Sequence, residues 1–299
     1  MRHHRFLAYV DEVARAGSIR KAAERLNVTA SALNRRLLDI EVELGEPLFE
    51  RHARGMRPTA AGEAFIRYVR QQASGLARLR SEIEDIRGYR RGEVKLAVSQ
   101  TVAQDLLPRA ISAFRGAYPL VEFDVHVCDR FVAMQRLIDY DADLVLVINP
   151  ESAEECEALA SAPQHVYAFM AAGHPLAGRT PLRMADIVEY PLALPEPGLG
   201  SRILLEAYFA RTGIPRRVVL QTNSFELLKT FVRSSQAIAF QIQVGAPDPH
   251  RGDGLVAQPI AEQRLATANL VLGQLRGRKL PVAAARFAQE VAALLDAMA

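Results

Sequence analysis

Cysteine is scarce in this chain, and its scarcity excludes two kinds of site. The 299 residues contain two cysteines, Cys128 and Cys156, too few for a disulfide framework and not grouped with histidine as metal ligands. We expect both to be small buried hydrophobic residues. Redox sensing is the alternative for Cys128, which is expected to end a strand that faces a cleft.

Enzyme motifs are also missing. The 7 histidines are scattered, and the sequence has no His-Glu-x-x-His, no Gly-x-Ser-x-Gly and no compact spacing of Ser, His and Asp for a catalytic triad. Internal repeats, low-complexity tracts and a phosphate-binding glycine-rich loop are absent as well. We therefore expect no catalytic residue, no metal site and no cofactor, and leave an enzyme as a rival hypothesis.

Long apolar runs are missing too. The chain begins Met-Arg-His-His-Arg and continues into an amphipathic helix, not into the apolar segment of a signal peptide, and no later run reaches membrane-spanning length. We expect a cytoplasmic protein without membrane contact. The apolar content of 49% and the charged content of 24% are typical of globular proteins, and the length suffices for two or three domains.

Charge is unevenly distributed. The net charge is +3, but residues 1–92 contain 18 Lys and Arg against 12 Asp and Glu, whereas the remaining residues contain 19 against 22. The first segment is therefore +6 and the second −3. A basic segment is typical of nucleic-acid binding, so the amino-terminal part is the expected DNA-binding end.

Two short helices are predicted within the basic segment. Ser18 caps the first, the Asn27-Val28 pair interrupts the helical period, and Thr29 caps the second. The second helix has one buried stripe, formed by Leu33, Leu37, Ile40 and Leu44. Its opposite face is small and polar near the helix start, where a recognition helix meets base edges. The residues expected to lie at the DNA on this face are Ala30, Ser31, Asn34 and Arg35.

A wing is predicted after the second helix. Gly45 ends the helix, and residues 47–59 form two extended pieces around a tip rich in Arg and Gly. Arg51, Arg54 and Arg57 are placed to meet phosphates or a minor groove, and Ser18 is a further backbone anchor. For any one arginine alone, an ordinary solvated charge is the alternative.

The ordered combination resembles the N-terminal winged helix-turn-helix of LysR-type transcriptional regulators. That family has an Ala-Ala pair, a Ser-Arg on the recognition helix, Leu-Glu, Gly-x-x-Leu-Phe-x-Arg and Thr-x-x-Gly. The matching segments here are Ala22-Ala23, Asn34-Arg35, Ile40-Glu41, residues 45–51 and residues 59–62. Asn34 stands where the family usually has Ser, and Thr29-Ala30-Ser31 replaces Ser-Gln-Ser or Ser-Gln-Pro. The resemblance implies binding to double-stranded promoter DNA and contact with RNA polymerase.

A long helix is predicted after the wing, without a proline from residue 60 to residue 87. Its apolar positions recur at steps of four and three, as in a coiled coil, at Phe65, Val69, Gln72, Leu76, Leu79, Ile83 and Ile86. We expect a homodimer or homotetramer paired along this seam, with residues 88–92 as a hinge. Packing of the helix onto its own carboxyl-terminal domain is the alternative. Gln72 either fixes the register or faces solvent.

From residue 93 the pattern changes to short apolar runs that alternate with helices. Such alternation predicts parallel α/β structure, here in two lobes. Strands are expected at residues 94–98, 121–127, 144–148, 167–171, 192–194, 218–220, 238–241 and 268–272, and a terminal helix after Pro281.

This part resembles the effector-binding domain of the same family, a two-lobed α/β fold like the type 2 periplasmic solute-binding proteins. The residues that carry the resemblance are Leu107-Pro108, Phe114, Tyr118-Pro119, Asp143-Leu144, His174-Pro175-Leu176, Asp186 and Tyr190-Pro191. We predict a winged helix-turn-helix at 1–59, with the helix-turn-helix at about 18–37, a linker helix and hinge at 60–92, and an effector domain at 93–299. Lobe 1 is expected at about 93–165 plus 267–299, and lobe 2 at about 166–266. A solute receptor without a DNA role is a further alternative.

An effector site is expected where strand ends and helix starts converge between the lobes. Helix amino ends favour anions, so the expected ligand is a small organic anion, although Glu196 would repel one and Arg202 would add a positive charge. The residues expected to line the site are Ser99, Gln100, Thr101, Asn149, Ser201, Asn223, Ser224 and Gln241. The alternative for Thr101, Ser201 and Asn223 is that each only caps its own helix.

Overall fold

The computed structural model describes residues 2–52, 55–86, 91–150, 154–248 and 252–298. Contacts divide the chain into two units, Met1–Ile86 and Arg87–Ala299. Arg54 in the expected wing tip and most of the expected hinge lie outside the described residues.

The first unit contains four helices and one hairpin among its described residues. These are α1 (Arg2–Ala16), α2 (Ile19–Leu26), α3 (Ala30–Leu44), β1 (Phe49–His52), β2 (Gly55–Pro58) and α4 (Ala60–Ile86). Their apolar faces form one core, made of Val10, Val13, Ala22, Ala23, Leu33, Leu37, Leu48, Phe49 and Ile66. The small Ala22-Ala23 pair is fully buried, so α2 packs closely on its neighbours.

The turn between α2 and α3 is fixed by local backbone chemistry. Asn27 has a φ of 52°, a left-handed conformation that asparagine tolerates better than most residues. Thr29 caps α3 as predicted, because its side-chain oxygen accepts a hydrogen bond from the Ala32 N–H at 3.2 Å. Ser18 is at the N-cap of α2, but its side chain makes no capping hydrogen bond.

Two polar residues hold the segment between α3 and the hairpin. The Glu41 carboxylate accepts hydrogen bonds from the Leu48 N–H at 2.7 Å and the Phe49 N–H at 3.3 Å. The Thr59 hydroxyl donates to the Pro47 carbonyl at 2.7 Å and accepts from the Gly62 N–H at 3.0 Å. These bonds satisfy backbone groups that no helix or strand would satisfy.

Helix α4 differs in exposure along its length. Its first half packs on the core of the first unit through Phe65 and Ile66, and Arg70 forms a 2.6 Å ion pair with Asp11 of α1. Phe65, the first predicted seam position, therefore contributes to its own unit. The last three seam positions are exposed: Leu79 at 49%, Ile83 at 42% and Ile86 at 84%.

The second unit contains two five-stranded sheets. The first has the order β4-β3-β5-β12-β6 and the second β11-β7-β10-β8-β9. The strands are β3 (Gly92–Val98), β4 (Val121–Val127), β5 (Leu144–Ile148), β6 (Cys156–Gln164), β7 (Val166–Ala171), β8 (Leu192–Pro195), β9 (Val218–Thr222), β10 (Ile238–Ile242), β11 (Leu255–Pro259) and β12 (Ala268–Leu275).

Helices cover both sheets. They are α5 (Gln100–Ala103), α6 (Leu106–Ala117), α7 (Arg130–Ile138), α8 (Met184–Ile187), α9 (Gly200–Thr212), α10 (Phe225–Arg233) and α11 (Val282–Asp296). Aromatic rings pack α11 onto the first sheet, because Phe287 lies edge-on to Phe114 of α6 and to Phe123 of β4.

The sheets are mixed, whereas the sequence predicted parallel structure. β3 pairs parallel with β4 and β5, and β8 pairs parallel with β9 and β10, but β6, β7, β11 and β12 pair antiparallel. β6 pairs antiparallel with β12 and leads into β7 without a helix between them. β6 belongs to the first sheet and β7 to the second, so this helix-free connection joins the two sheets.

Candidate nucleic-acid interface and ligand cleft

The start of α3 presents a polar face opposite its buried stripe. Leu33 and Leu37 are buried in the core, while Ala30, Ser31 and Arg35 are exposed and Asn34 is half-buried. The Thr29 and Ser31 hydroxyls lie 3.2 Å apart, so the helix cap and the exposed serine are in hydrogen-bond contact. The surface predicted to read bases is therefore accessible to solvent, while the opposite face of the helix is packed in the core.

Asn34 and Arg51 are joined by a hydrogen bond that sequence reasoning did not foresee. The Arg51 guanidinium of β1 donates to the Asn34 side-chain oxygen at 3.3 Å. This bond uses one lone pair of the amide oxygen, and the amide NH2 remains a potential donor. The sequence held no direct signal for the bond, because the two residues are 17 positions apart and belong to different elements.

The wing is fastened to the turn before α2. The Met56 N–H donates to the Gly17 carbonyl at 2.8 Å. Gly55 has a φ of 128°, and a Cβ at this position would collide with the same Gly17 carbonyl. A glycine is therefore required where the second wing strand begins.

A cleft of about 550 Å³ lies in the second unit. The ends of β3, β4, β5, β8 and β9 supply its walls, so both sheets contribute. Its lining residues are Ser99, Gln100, Thr101, Val127, Cys128, Asp129, Arg130, Phe131, Ile148, Glu196, Pro197, Gly198, Leu199, Gly200, Asn223 and Phe225. The arrangement follows the general rule that ligands of α/β sheets bind beyond the carboxyl ends of the strands.

Four of the eight expected effector residues line this cleft: Ser99, Gln100, Thr101 and Asn223. The other four have structural partners or deeper positions. Asn149 is bonded to Asn269 through its side-chain oxygen at 2.7 Å and its backbone N–H at 2.9 Å. Ser224 caps α10 by accepting from the Leu227 N–H at 3.2 Å. Ser201 and Gln241 are each 1% exposed.

The capping alternative is wrong for the three residues to which it was applied. α5 begins after Ser99, α9 after Leu199 and α10 after Ser224, so neither Thr101, Ser201 nor Asn223 is an N-cap. Helix boundaries shifted by one or two residues are enough to change which side chain caps the helix.

Thr101 connects the two sheets. Its hydroxyl donates to the Gln241 side-chain oxygen at 3.4 Å, and that oxygen also accepts from the Ile242 N–H at 3.0 Å. Gly245 lies against this pair, because a Cβ there would meet both side chains. Among the described residues, the Gln241 amide nitrogen and the Ser201 hydroxyl are buried without a hydrogen-bond partner.

Arg202 does not supply the charge that the sequence suggested. It is 7% exposed, forms a 2.6 Å ion pair with Glu206 and donates to the Pro195 carbonyl at 3.0 Å. Its charge is used inside the second sheet's own lobe, where a buried guanidinium needs such partners.

Cys128 lines the cleft as expected, whereas Asp129 and Arg130 were missed as lining residues. The Asp129 carboxylate accepts from the Phe131 and Val132 N–H groups at 2.8 and 3.0 Å, capping α7 directly after β4. A strand followed by a capping aspartate is the signal that could have found them. Burial, with the Asp129 charge as a second cause, raises the pKa of the Cys128 thiol, so this group stays protonated and weakly nucleophilic.

The described residues offer neither a metal site nor a membrane-spanning helix. No group of three or more His, Cys, Asp and Glu side chains in them could hold a metal ion. Nor is any helix in them long and apolar enough to cross a membrane.

Known proteins match along nearly the whole chain. The model described as bacterial regulatory helix-turn-helix protein, lysR family, matches residues 4–63, and the LysR substrate binding domain model matches residues 87–296. The HTH-type transcriptional regulator CbbR of Rhizobium meliloti (strain 1021) is 30% identical over 268 residues, which are 90% of this chain and 81% of that protein.

Solved structures share the fold. A full-length OxyR variant from Pseudomonas aeruginosa has a TM-score of 0.70 at 18% identity, covering 96% of this chain and 94% of that one. Full-length CbnR complexed with its target DNA has a TM-score of 0.62 at 22% identity, covering 96% and 98%.

The chain belongs to the LysR family of transcriptional regulators. It is a DNA-binding regulator with an N-terminal helix-turn-helix domain, a helical linker and a two-sheet α/β effector-binding domain. The matched relatives are regulators, so the enzyme and the receptor without a DNA role are not supported.

Proposed function

We propose that the chain acts as a homodimer, able to pair again into a homotetramer, and that α4 forms the pairing surface. Leu79, Ile83 and Ile86 support this, because they are exposed apolar residues spaced four and three apart. Side chains at that spacing share one helix face and are buried when two such helices pair. Helix α4 has 27 residues and is about 40 Å long.

The two DNA-binding heads are proposed to bind successive major grooves of an imperfectly two-fold promoter site. Ser31, Asn34 and Arg35 read bases, with Ala30 closely opposed to the groove. Ser18, Arg51 and Arg54 anchor phosphates or the minor groove. The Asn34–Arg51 hydrogen bond of 3.3 Å supports this division, because it couples one base-reading amide to one backbone anchor.

The cleft is proposed to bind a small-molecule effector. Ser99, Gln100, Thr101 and Asn223 are its polar contacts, while Asn149, Ser201, Ser224 and Gln241 set the shape behind them. The domain limits are proposed at residues 1–59, 60–92 and 93–299, with the two lobes at 93–165 plus 267–299 and at 166–266.

The effector changes promoter activity by favouring one arrangement of the lobes. It must bind the two arrangements unequally, because a ligand with equal affinity for both shifts no equilibrium. The resulting change in the heads alters the DNA bend and the contact with RNA polymerase. Since the partners are promoter DNA and the polymerase, the place of action is the cytoplasm.

One observation carries the DNA-binding part: the start of α3 exposes Ser31 and Arg35 while Leu33 and Leu37 are buried. The test is to recover genomic fragments retained by the purified protein and measure affinity by gel shift. Arg35→Ala should lower affinity for a retained fragment by about 1–3 kcal/mol, with a smaller loss on scrambled DNA, because a base contact is sequence-specific.

Arg36→Ala is the matched control. Arg36 is the next residue on the same helix and pairs with Asp39 at 3.7 Å, so its removal should change the affinity by no more than about 0.5 kcal/mol. Equal losses on retained and scrambled fragments would assign Arg35 to phosphates. Failure to retain any fragment would contradict the proposed function.

A further inference from the structure

Charge in the cleft is concentrated in three side chains. Of the described residues that line it, Asp129, Arg130 and Glu196 are ionisable and charged at neutral pH. Asp129 and Arg130 follow β4 of the first sheet, and Glu196 follows β8 of the second. The first wall therefore carries one charge of each sign and the second a negative charge, which gives the described lining a net charge of −1.

The two acidic groups are not equivalent. One Asp129 oxygen already accepts two backbone N–H bonds at the start of α7. Glu196 is exposed, and among the described residues its carboxylate has no hydrogen-bond or ion-pair partner. Its backbone is fixed, because its N–H donates to the Thr222 carbonyl at 3.0 Å and its carbonyl accepts from Leu199 at 3.3 Å. A carboxylate is thus held at the cleft with its binding capacity unused.

The positive charge of the lining is that of Arg130, whose guanidinium lies 4.8 Å from the centre of the Phe131 ring. Phe131 is 56% exposed and Val127 47%, so apolar surface adjoins the cation. Further apolar lining comes from Ile148, Leu199 and Phe225. Exposed apolar side chains in a concave site are suited to an apolar part of a ligand.

We infer that the effector is a small zwitterion with an apolar group, of the class of the apolar α-amino acids. Its carboxylate pairs with Arg130 and its ammonium group with Glu196. This inference rests on the proposed role of the cleft as the effector site. A phosphate ester or dicarboxylate would bring two negative charges to a lining that holds two carboxylates and one guanidinium, and like charges repel.

The test uses full-length protein and a defined probe panel. Valine, leucine, isoleucine, methionine and phenylalanine are compared with 3-phenylpropionate and 4-methylpentanoate, which lack the amine, and with phenethylamine, which lacks the carboxylate. Thermal denaturation and titration calorimetry report binding. At least one amino acid should raise Tm and bind roughly tenfold or more tightly than the analogue that lacks either charge.

Two variants test which charged side chain of the cleft recognises which charged group of the ligand. Glu196→Gln should remove the preference for the amino acid over its amine-free analogue, and Arg130→Met the preference over the carboxylate-free analogue. Glu189→Gln changes an exposed carboxylate that does not line the cleft, and it should keep both preferences. Loss of preference in the control as well would overturn the assignment.

Two outcomes overturn the inference outright: no amino acid raises Tm, or the amine-free acids bind as tightly as the amino acids. Gel shifts with the unliganded wild-type protein separate this failure from that of the proposed function. Protein that binds its DNA fragment but no amino acid refutes the zwitterion alone. If the protein retains no DNA fragment, the proposed function as a regulator is refuted.

Discussion

Glu41 connects the recognition helix to the hairpin through a single carboxylate. It accepts from two consecutive backbone N–H groups, those of Leu48 and Phe49, in a partly buried position. Hydrogen bonds to a charged acceptor contribute more than neutral ones, and a buried N–H left without a partner carries a desolvation cost. The Ile40-Glu41 and Leu48-Phe49 segments of the family pattern therefore have a structural reason that does not involve DNA.

Glu41→Ala should lower the free energy of unfolding of the first unit by about 1.5–3 kcal/mol, because both N–H groups lose their acceptor. Urea denaturation followed by circular dichroism measures the change. Glu43→Ala removes an exposed carboxylate from the same helix and should stay within about 0.5 kcal/mol. Equal effects for the two variants would mean that Glu41 acts only through helix propensity.

His174 links stability to pH. Its ring is 6% exposed and lies edge-on to Tyr190, and its Nδ1 accepts from the Leu176 N–H at 3.1 Å. Nδ1 therefore carries no proton in the fold. Burial lowers the pKa of His174 below its ordinary value of 6.5, against a smaller opposing effect of the Gln236 backbone. The unfolded chain then binds a proton at a higher pH than the folded one.

The stability that His174 contributes is therefore present above about pH 6.5 and is lost as the pH falls through the folded-state pKa. His174→Gln should flatten the dependence of Tm on pH between about pH 7 and pH 5. His126→Gln, at an exposed histidine of β4, is the control and should keep the wild-type slope. An unchanged slope in the His174 variant would exclude this residue as the source.

At the residue scale, the sequence predicted a side chain's role best where that role depends only on neighbouring residues in the chain. Thr29 caps α3 as expected, since its position after the Asn27 turn leaves one possible helix start. Thr101 and Ser201 did not cap, because the strand ends that precede them set the helix starts elsewhere. The Asn34–Arg51 and Thr101–Gln241 bonds depend on tertiary structure, which spacing along the chain does not encode.

The apolar face of helix α4 is covered by its own unit in one part and exposed in another. The regular steps of four and three predicted one continuous seam, but Phe65 packs on the first unit while Leu79 and Ile86 remain exposed. Periodicity shows that a face is apolar and not what covers it. The seam available for pairing is therefore the second half of the helix.

Leu79→Lys places a charge at the centre of this seam. Pairing would then bury an unpartnered ammonium group, so the dimer dissociation constant should rise roughly tenfold or more, about 1.4 kcal/mol. Sedimentation equilibrium measures this, and gel shift should show weaker operator binding with it. Ala77→Lys adds the same charge at an exposed position off the seam and should leave the association unchanged. An unaltered sedimentation profile for Leu79→Lys would contradict pairing through α4.

Strands with a clear apolar run were predicted from the sequence, and a strand without one was missed. β4 and β5 lie where the apolar runs placed them, and β5 is buried at every position. β6 was missed because its sequence, Cys156–Gln164, contains three Ala residues and Pro163, so neither alternation nor β-branched residues mark it. The parallel interpretation failed for the same segment, which pairs antiparallel with β12.

The whole molecule is a regulator in which a ligand site and a DNA surface are separate parts of one chain. The family pattern predicted this organisation from residues 22–62 and from the alternation after residue 93, and the fold class is confirmed. The cleft was only half predicted, because the start of α7 contributes Arg130 and the loop after β8 contributes Glu196, and their positions follow from how the two sheets approach each other. A side chain that both lines the cleft and bonds across the two lobes is suited to link ligand binding to the arrangement of the lobes.

Thr101 is such a side chain. It lines the cleft and bonds to Gln241 of the other sheet, so a ligand at Thr101 competes with or reinforces the contact between lobes. Thr101→Val keeps the shape and removes the hydroxyl, whose net contribution is about 0.5–1.5 kcal/mol. The effector-induced change in operator affinity should therefore shrink roughly twofold to tenfold, measured by gel shift with and without ligand. Thr230→Val, at an exposed threonine of α10 outside the cleft, should keep the full response. An undiminished response in Thr101→Val would show that the lobes are coupled through other contacts.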